Sequence, residues 1–179
     1  MDKSDFKIIA WPVEPPVIVN QKWGNAPEKY QEFGWSGGHE GIDLTAPLGV
    51  PIFAVAEGTI RFCSDKRQNG TPSAYGLRVE IEHANGYRTL YAHLRSDAAA
   101  ISQPGTEVAA GQMIGFSGNT GNSTGPHLHF SLKHADARTP GFPATYIDPT
   151  PYFEAAFNSL IKSCSQMRTP IIDKWRLIS

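Results

Sequence analysis

Apolar and charged side chains alternate along residues 77–83. One face carries Leu77, Val79 and Ile81, and the other carries Arg78, Glu80 and Glu82. A repeat of two residues is typical of an antiparallel strand that buries one face. Asn85-Gly86 follows, and this dipeptide is the strongest short-range signal for a hairpin turn. The pattern therefore predicts a β-hairpin whose second strand covers residues 87–94.

Alternation along the second strand of this hairpin predicts that Thr89, Tyr91 and His93 share one face. His93 would then end a polar and aromatic stripe, although taken alone it is also typical of an exposed histidine at a strand end. His83 lies beside the turn, and we expect it to have a structural or solvent-facing role.

Other short strands surround the hairpin. Residues 51–56 and 58–62 are apolar or alternating and are separated by a predicted turn at Glu57-Gly58. Residues 108–116 predict a turn and a strand. Residues 125–132 predict a further strand, which Gly125-Pro126 punctuates at its start. Its apolar positions do not alternate cleanly with polar ones, as expected for a strand covered on both faces.

The two ends of the chain differ from this β-rich middle. Three prolines between Trp11 and Val19 exclude a helix and favour an extended segment at a sheet edge. Thr150 and Pro151 suit the N-cap and first position of a helix. Apolar residues then recur at helical spacing and predict a face that docks on the sheet: Phe153, Phe157, Leu160, Ile161 and Cys164.

These patterns predict one mainly β structural domain. We expect an extended lead-in at residues 1–34 packed on the core, a core at 35–150, and a C-terminal helix and tail at 151–179. A length of 179 residues suffices to bury a sizeable core, and 17 glycines and 14 prolines fit many turns and short strands. We also expect a monomer.

Charge and cysteine content narrow the possible functions. A formal net charge of -1 provides no basic surface for nucleic acid or for an anionic membrane. No apolar stretch is long enough to cross a bilayer, and the charged N-terminus lacks the apolar core of a signal peptide. Cys63 and Cys164 are too few for a disulfide framework and are not spaced as a zinc pair. We interpret both as packing residues and leave a single bridge between them open.

Two histidines occupy alternate positions on the strand at 125–132. His127 and His129 would project from the same face, about 6 to 7 Å apart at the backbone. A lone histidine on a strand is usually structural, and two ligands do not make a metal site. His134, in the segment after this strand, has no evident partner.

A glycine-rich stretch at residues 34–43 places His39 four residues before Asp43. Imidazole nitrogen and carboxylate oxygen both bind Zn²⁺, at about 2.0 to 2.2 Å. With one histidine of the later pair, His39 and Asp43 would make three ligands. Spacing alone does not show whether His127 or His129 is the third, and a polar surface loop remains the alternative interpretation.

Four motifs in this order resemble the zinc metallopeptidases of the LytM and lysostaphin type, peptidase family M23. The motifs are Gly38-His39-Glu40-Gly41-Ile42-Asp43, Tyr91-Ala92-His93-Leu94, Gly111-Gln112-Met113-Ile114-Gly115, and Gly118-Asn119-Thr120-Gly121 leading to His127-Leu128-His129-Phe130. They cover about residues 11–151. The resemblance implies antiparallel β-sheets that form a groove, of the barrel-sandwich-hybrid kind. It also implies His39, Asp43 and His129 as the ligands of one Zn²⁺ ion, with His93 and His127 as the non-ligand catalytic histidines.

The family implies hydrolysis of peptide bonds in bacterial peptidoglycan, in a stem peptide or a cross-bridge. Three ligands leave a fourth position open, as in catalytic zinc sites. His93 and His127 are expected to share the proton transfers. We expect the chain to act on the cell wall, and without a signal peptide the hypothesis is a phage or prophage lytic protein.

Two other classes of protein share some of these sequence features. A non-catalytic M23-like module would bind peptidoglycan or activate a hydrolase, but the full set of metal and catalytic residues argues against it. A lipoyl-type carrier is suggested by residues 108–116. Such a carrier needs a lysine at a hairpin tip, and the loop offers Asn119-Thr120 instead.

Overall fold

The computed structural model describes residues 6–166, and side chains as far as residue 159. Within this part the strands are β1 (Val19–Gln21), β2 (Ile42–Thr45), β3 (Pro51–Phe53), β4 (Gly58–Ser64), β5 (Leu77–Glu82), β6 (Tyr87–Leu94), β7 (Glu107–Val108), β8 (Met113–Phe116), β9 (His127–His134) and β10 (Tyr146–Ile147). The helices are α1 (Pro27–Tyr30), α2 (Ala98–Ile101) and α3 (Thr150–Gln166), with 3₁₀ turns at Gln31–Phe33 and Ala84–Gly86.

The main sheet has the strand order β1-β2-β9-β6-β5-β4-β7, and β10 pairs with β9 outside this path. All of these neighbours run antiparallel. Strands β3 and β8 form a separate antiparallel ribbon. The predicted turn at Glu57-Gly58 therefore joins the ribbon to the sheet. The mainly β, antiparallel prediction with a C-terminal helix is confirmed.

Strand β9 lies between β2 and β6, which explains its long apolar run. On its inner face Phe130 packs edge-on against Tyr91 at 5.4 Å between ring centroids, and against Phe153 of α3 at 5.2 Å. Leu128 and Leu132 are fully buried on the same face. The helix α3 thus docks through Phe153, as its spacing predicts. The side chains of Leu160, Ile161 and Cys164 lie outside the described residues, so the possible Cys63 bridge does too.

The proline-containing segment has no helix between Trp11 and Val19, whereas α1 and a 3₁₀ turn occupy residues 27–33. Its β1 strand pairs with β2 at one edge of the sheet. Val13 and Val17 are buried in the core, and Phe6 stacks on Tyr87 at 4.8 Å. In the part of the chain that the structure describes, no helix is long and apolar enough to cross a membrane.

The charged face predicted for β5 is not simply exposed to solvent. Glu80 is buried with only 2 % of its surface exposed. Its carboxylate forms ion pairs with Lys133 at 2.6 Å, Arg61 at 3.2 Å and Arg88 at 3.4 Å. Burial raises the pKa of Glu80, but the charges of these three cations outweigh it and the pKa lies below its usual value. Cations on the neighbouring strands cover this face, which alternation along a single strand does not reveal.

Candidate metal centre

Three side chains from two strands and a loop converge on the outer face of the sheet. Asp43 on β2 lies directly opposite His129 on β9, so both side chains point to the same face. His39 reaches them from the loop before β2. Its backbone N–H donates to the Asn25 carbonyl at 3.0 Å, and its carbonyl accepts from Gly24 N–H at 2.9 Å. The N-terminal segment thereby fixes the position of His39.

Gly41 allows this convergence. A Cβ atom at position 41 would lie 2.8 Å from Cε1 of His129 and would also collide with the Phe130 carbonyl oxygen. Real Cβ atoms do not approach other atoms so closely, so only glycine fits between His39 and Asp43 at this point. The glycine is required by this close approach of β2 to β9.

The three donor atoms form a compact triangle. Nε2 of His39 lies 2.9 Å from Nδ1 of His129 and 3.2 Å from Oδ1 of Asp43, and the remaining side is 3.0 Å. Tetrahedral zinc with bonds of about 2.0 to 2.2 Å separates its ligand atoms by about 3.3 to 3.5 Å. The observed triangle is only slightly smaller. The His39, Asp43 and His129 side chains therefore form a group that could hold a metal ion.

The second ring nitrogen of both histidines in this group is also engaged. Nδ1 of His39 lies 3.2 Å from the Lys22 carbonyl, which can only accept, so Nδ1 carries the proton and Nε2 presents a lone pair. Nε2 of His129 lies 2.8 Å from Oγ of Ser131. Such outer contacts orient histidine ligands and fix the nitrogen that faces the metal.

The electrostatics of the centre favour positive charge. Burial raises the pKa of Asp43, but hydrogen bonds with His129 and His39 outweigh it and hold the pKa well below its usual range. Burial lowers the pKa of His129, yet the hydrogen bond to Asp43 and the charge of Glu40 leave the pKa raised overall. A cluster that keeps its carboxylate ionised and stabilises a cation on a histidine suits a bound cation.

A β-bulge places His93 beside this group and corrects one prediction. Tyr91 faces Phe130 and Ala92 faces His129, but the register between β5 and β6 shifts immediately after, and His93 has a positive φ of 59°. The extra residue turns His93 to the face of His129 and away from Tyr91. The predicted common face of Thr89, Tyr91 and His93 is therefore wrong at His93, whose ring lies 6.1 Å from that of His129.

The rings of His93 and His127 are each held by a hydrogen bond from Nδ1 to a backbone carbonyl. Nδ1 of His93 donates to the Thr120 carbonyl at 2.7 Å, and Nδ1 of His127 donates to the Gly125 carbonyl at 2.8 Å. Each Nε2 atom is therefore the unprotonated nitrogen. The two rings lie 4.6 Å apart, and Nε2 of His127 is 3.7 Å from Oδ1 of Asp43. Burial lowers the pKa of His93 to about 4, so this imidazole is neutral at neutral pH.

The remaining histidines lie elsewhere. His83 is buried and bonds the Glu57 carbonyl at 2.6 Å and the Thr89 hydroxyl at 2.8 Å, so of its two predicted roles it takes the structural one. His134 packs edge-on against Tyr87. Sequence reasoning missed the supporting residues Ser131, Thr120 and Tyr75. No spacing rule identifies them, because their contacts depend on the register of the strands.

A family model for peptidase family M23 matches residues 37–140, which is more than half of the chain. The chain belongs to peptidase family M23. The resemblance seen in the motifs is thereby confirmed, and all five residues of the converging group lie inside the matched range.

Curated and solved M23 relatives support the same assignment. The DD-carboxypeptidase/endopeptidase Mpg of Neisseria meningitidis serogroup B is 40 % identical over 141 residues, covering 77 % of this chain and 29 % of that protein. The chain therefore spans less than a third of that relative's length. A zinc-containing peptidase from Vibrio cholerae superimposes with a TM-score of 0.62 at 26 % identity, over 80 % of this chain and 39 % of that one. The catalytic domain of the antimicrobial peptidase lysostaphin from Staphylococcus simulans superimposes with a TM-score of 0.57 at 29 % identity, over 76 % of this chain and 91 % of that one.

Proposed function

We propose that this M23 chain is a zinc-dependent endopeptidase that hydrolyses peptide bonds in bacterial peptidoglycan. The observation that carries the proposal is the donor triangle of His39, Asp43 and His129, with the unprotonated nitrogens of two further imidazoles beside it. The described residues bring three protein donors together, which is the number in a catalytic zinc site, whereas structural sites use four.

His39, Asp43 and His129 would hold the zinc ion. When bound, zinc supplies a Lewis acid that polarises the scissile carbonyl and lowers the pKa of a water molecule to about 7. The Asp43 carboxylate would offset one of the two positive charges of a bound zinc ion. A contact at the other ring nitrogen orients each imidazole. The Lys22 carbonyl contacts Nδ1 of His39, and Oγ of Ser131 contacts Nε2 of His129.

His93 and His127 would carry the proton transfers. Each ring is anchored through Nδ1–H, so Nε2 is the atom that accepts a proton from the attacking water and later donates one to the leaving amine. The low pKa of His93 keeps it in the accepting form at neutral pH. His127 is more exposed than His93, and its Nε2 lies 3.7 Å from Oδ1 of the Asp43 carboxylate. The two rings share these duties within 4.6 Å of each other.

Similar proteins support the proposed substrate class. The Neisseria protein is named a DD-carboxypeptidase/endopeptidase, which supports a bond between two D-configured residues as the narrower proposal. A lytic action on the cell wall from outside is a further proposal, which the likeness to the antimicrobial peptidase lysostaphin supports. Loss of turbidity of permeabilised cells after addition of the protein would test it.

The test of the main proposal combines metal analysis with digestion. The purified chain should contain about one zinc per molecule. It should release peptide fragments from isolated peptidoglycan, lose activity to a chelator and regain it with zinc. Mass spectrometry of the fragments identifies the bond. A protein that holds zinc and binds peptidoglycan but releases nothing would be the non-catalytic module instead.

A further inference from the structure

Glu40 lies between the proposed ligands His39 and Asp43 in the sequence. Its carboxylate lies beside the ring of the third proposed ligand, His129. Only 4 % of its side chain is exposed. Oε1 lies 3.7 Å from Nε2 of His129, the ring nitrogen that faces away from Asp43. The carboxylate is therefore too deeply buried to meet a substrate, and it can act on the centre only through His129.

The carboxylate of Glu40 has few polar partners for a buried group. Oε1 accepts a hydrogen bond from the Tyr75 hydroxyl, which also contacts the Tyr146 hydroxyl at 3.2 Å. Oε2 is buried and has no hydrogen-bond partner among the described residues. Lys133 lies over the Tyr146 ring but pairs with Glu80. Since an unpaired buried carboxylate oxygen is costly, a nearby positive charge is needed to stabilise it.

The charge count points to a divalent cation as that positive charge. Two carboxylates, those of Asp43 and Glu40, lie beside opposite nitrogens of the His129 ring, and one divalent ion would balance both. Oγ of Ser131 already makes the hydrogen bond at Nε2 of His129, at 2.8 Å, so Glu40 does not. Glu40 would thus contribute mainly through its charge, as carboxylates behind histidine ligands do in other metal sites.

We propose that Glu40 is a positioning residue whose buried carboxylate, acting through the outer edge of His129, raises the affinity of the centre for a divalent cation. This inference rests on the proposed metal function of His39, Asp43 and His129. Removing the charge of Glu40 while keeping its shape should therefore weaken zinc binding without disturbing the fold.

The experiment measures the zinc dissociation constant of the full chain by competition with a chromophoric chelator. We expect Glu40→Gln to raise the constant about tenfold or more, the lower range found for such outer partners. Glu40→Asp keeps the carboxylate but withdraws it from Nε2 of His129, so its zinc dissociation constant should lie between those of wild type and Glu40→Gln. Glu82→Gln removes an exposed carboxylate on β5 and serves as the control, with no change expected.

The outcomes separate the two proposals. If the wild-type chain binds no zinc, both are overturned. If wild type binds zinc and Glu40→Gln binds it equally well, only the role of Glu40 is overturned. Circular dichroism and thermal midpoints of the metal-free proteins check folding. Should Glu40→Gln not fold, Glu40→Asp decides, because wild-type zinc affinity with the carboxylate withdrawn from His129 contradicts the role of Glu40.

Discussion

The carbonyl oxygen of Thr120 accepts a hydrogen bond of 2.7 Å from Nδ1 of His93. The side chain of the same threonine fixes that carbonyl. Its Oγ1 donates to the Leu94 carbonyl at 2.8 Å and accepts from the Leu77 N–H at 3.0 Å. One residue of the loop before β9 thus joins β5, β6 and the ring of His93.

Thr120→Val should therefore lower activity without removing the metal. Loss of Oγ1 frees the Leu77 N–H and lets the loop move, and a displacement of about 1 Å at a catalytic group costs up to about 100-fold in rate. We expect a fall of about tenfold or more in kcat/KM, with zinc content unchanged. Thr120→Ser keeps the hydroxyl and is the matched control. Equal activity of the valine and serine variants would contradict this role.

His93→Ala and His127→Ala should each retain zinc and lose activity by about 10²-fold to 10⁴-fold, the usual contribution of a positioned acid or base. Fragment release from peptidoglycan and metal analysis on the same samples provide the two measurements. His134→Ala, outside the centre, should have wild-type activity. Near-normal turnover in both catalytic variants would exclude the proposed proton transfers.

Gly41→Ala should disrupt the centre sterically. The added Cβ meets the His129 ring at 2.8 Å and the backbone of β9, which cannot move aside as a flexible side chain would. We expect loss of zinc binding and a destabilisation of about 1 to 3 kcal/mol from overpacking. Gly125→Ala is the control, since a Cβ there meets nothing within 4 Å. Unchanged zinc affinity of Gly41→Ala would show that the two strands lie farther apart.

Glu80 should make stability depend on pH in the acid range. Its pKa is lower in the folded chain than its ordinary value of 4.5, so its ion pairs stabilise the fold above pH 4.5. This contribution is lost as the pH falls through the folded pKa. At neutral pH we expect Glu80→Gln to lower the free energy of unfolding by about 1 to 3 kcal/mol. The difference from wild type should shrink below pH 4.5 in urea titrations, while Glu82→Gln shows little change. A difference that is constant with pH would assign the loss to packing.

The hydrophobic pattern predicts the strands whose side chains alternate regularly. Bulges and register depend on how the strands pair, which the pattern along one strand does not show. The alternation at 77–83 and the Asn85-Gly86 turn correspond to β5 and β6, because local sequence determines both. The bulge at His93 has no signal in the alternation of side chains, so the face predicted for His93 is wrong. Likewise, His127 and His129 share a face, and spacing cannot rank them as ligands. The register sets Asp43 opposite His129, so Oδ1 of Asp43 lies 3.0 Å from Nδ1 of His129 and 3.7 Å from Nε2 of His127.

Strand β9 carries the deeply buried Leu128, Phe130 and Leu132 on one side and His127 and His129 on the other. A slip of one residue against β2 or β6 would exchange these sides, placing hydrocarbon at the metal and imidazole in the interior. A mispaired chain would be inert instead of weakly active. Specific activity per mole of protein can therefore serve as a direct gauge of the correctly paired fraction in refolding or expression trials.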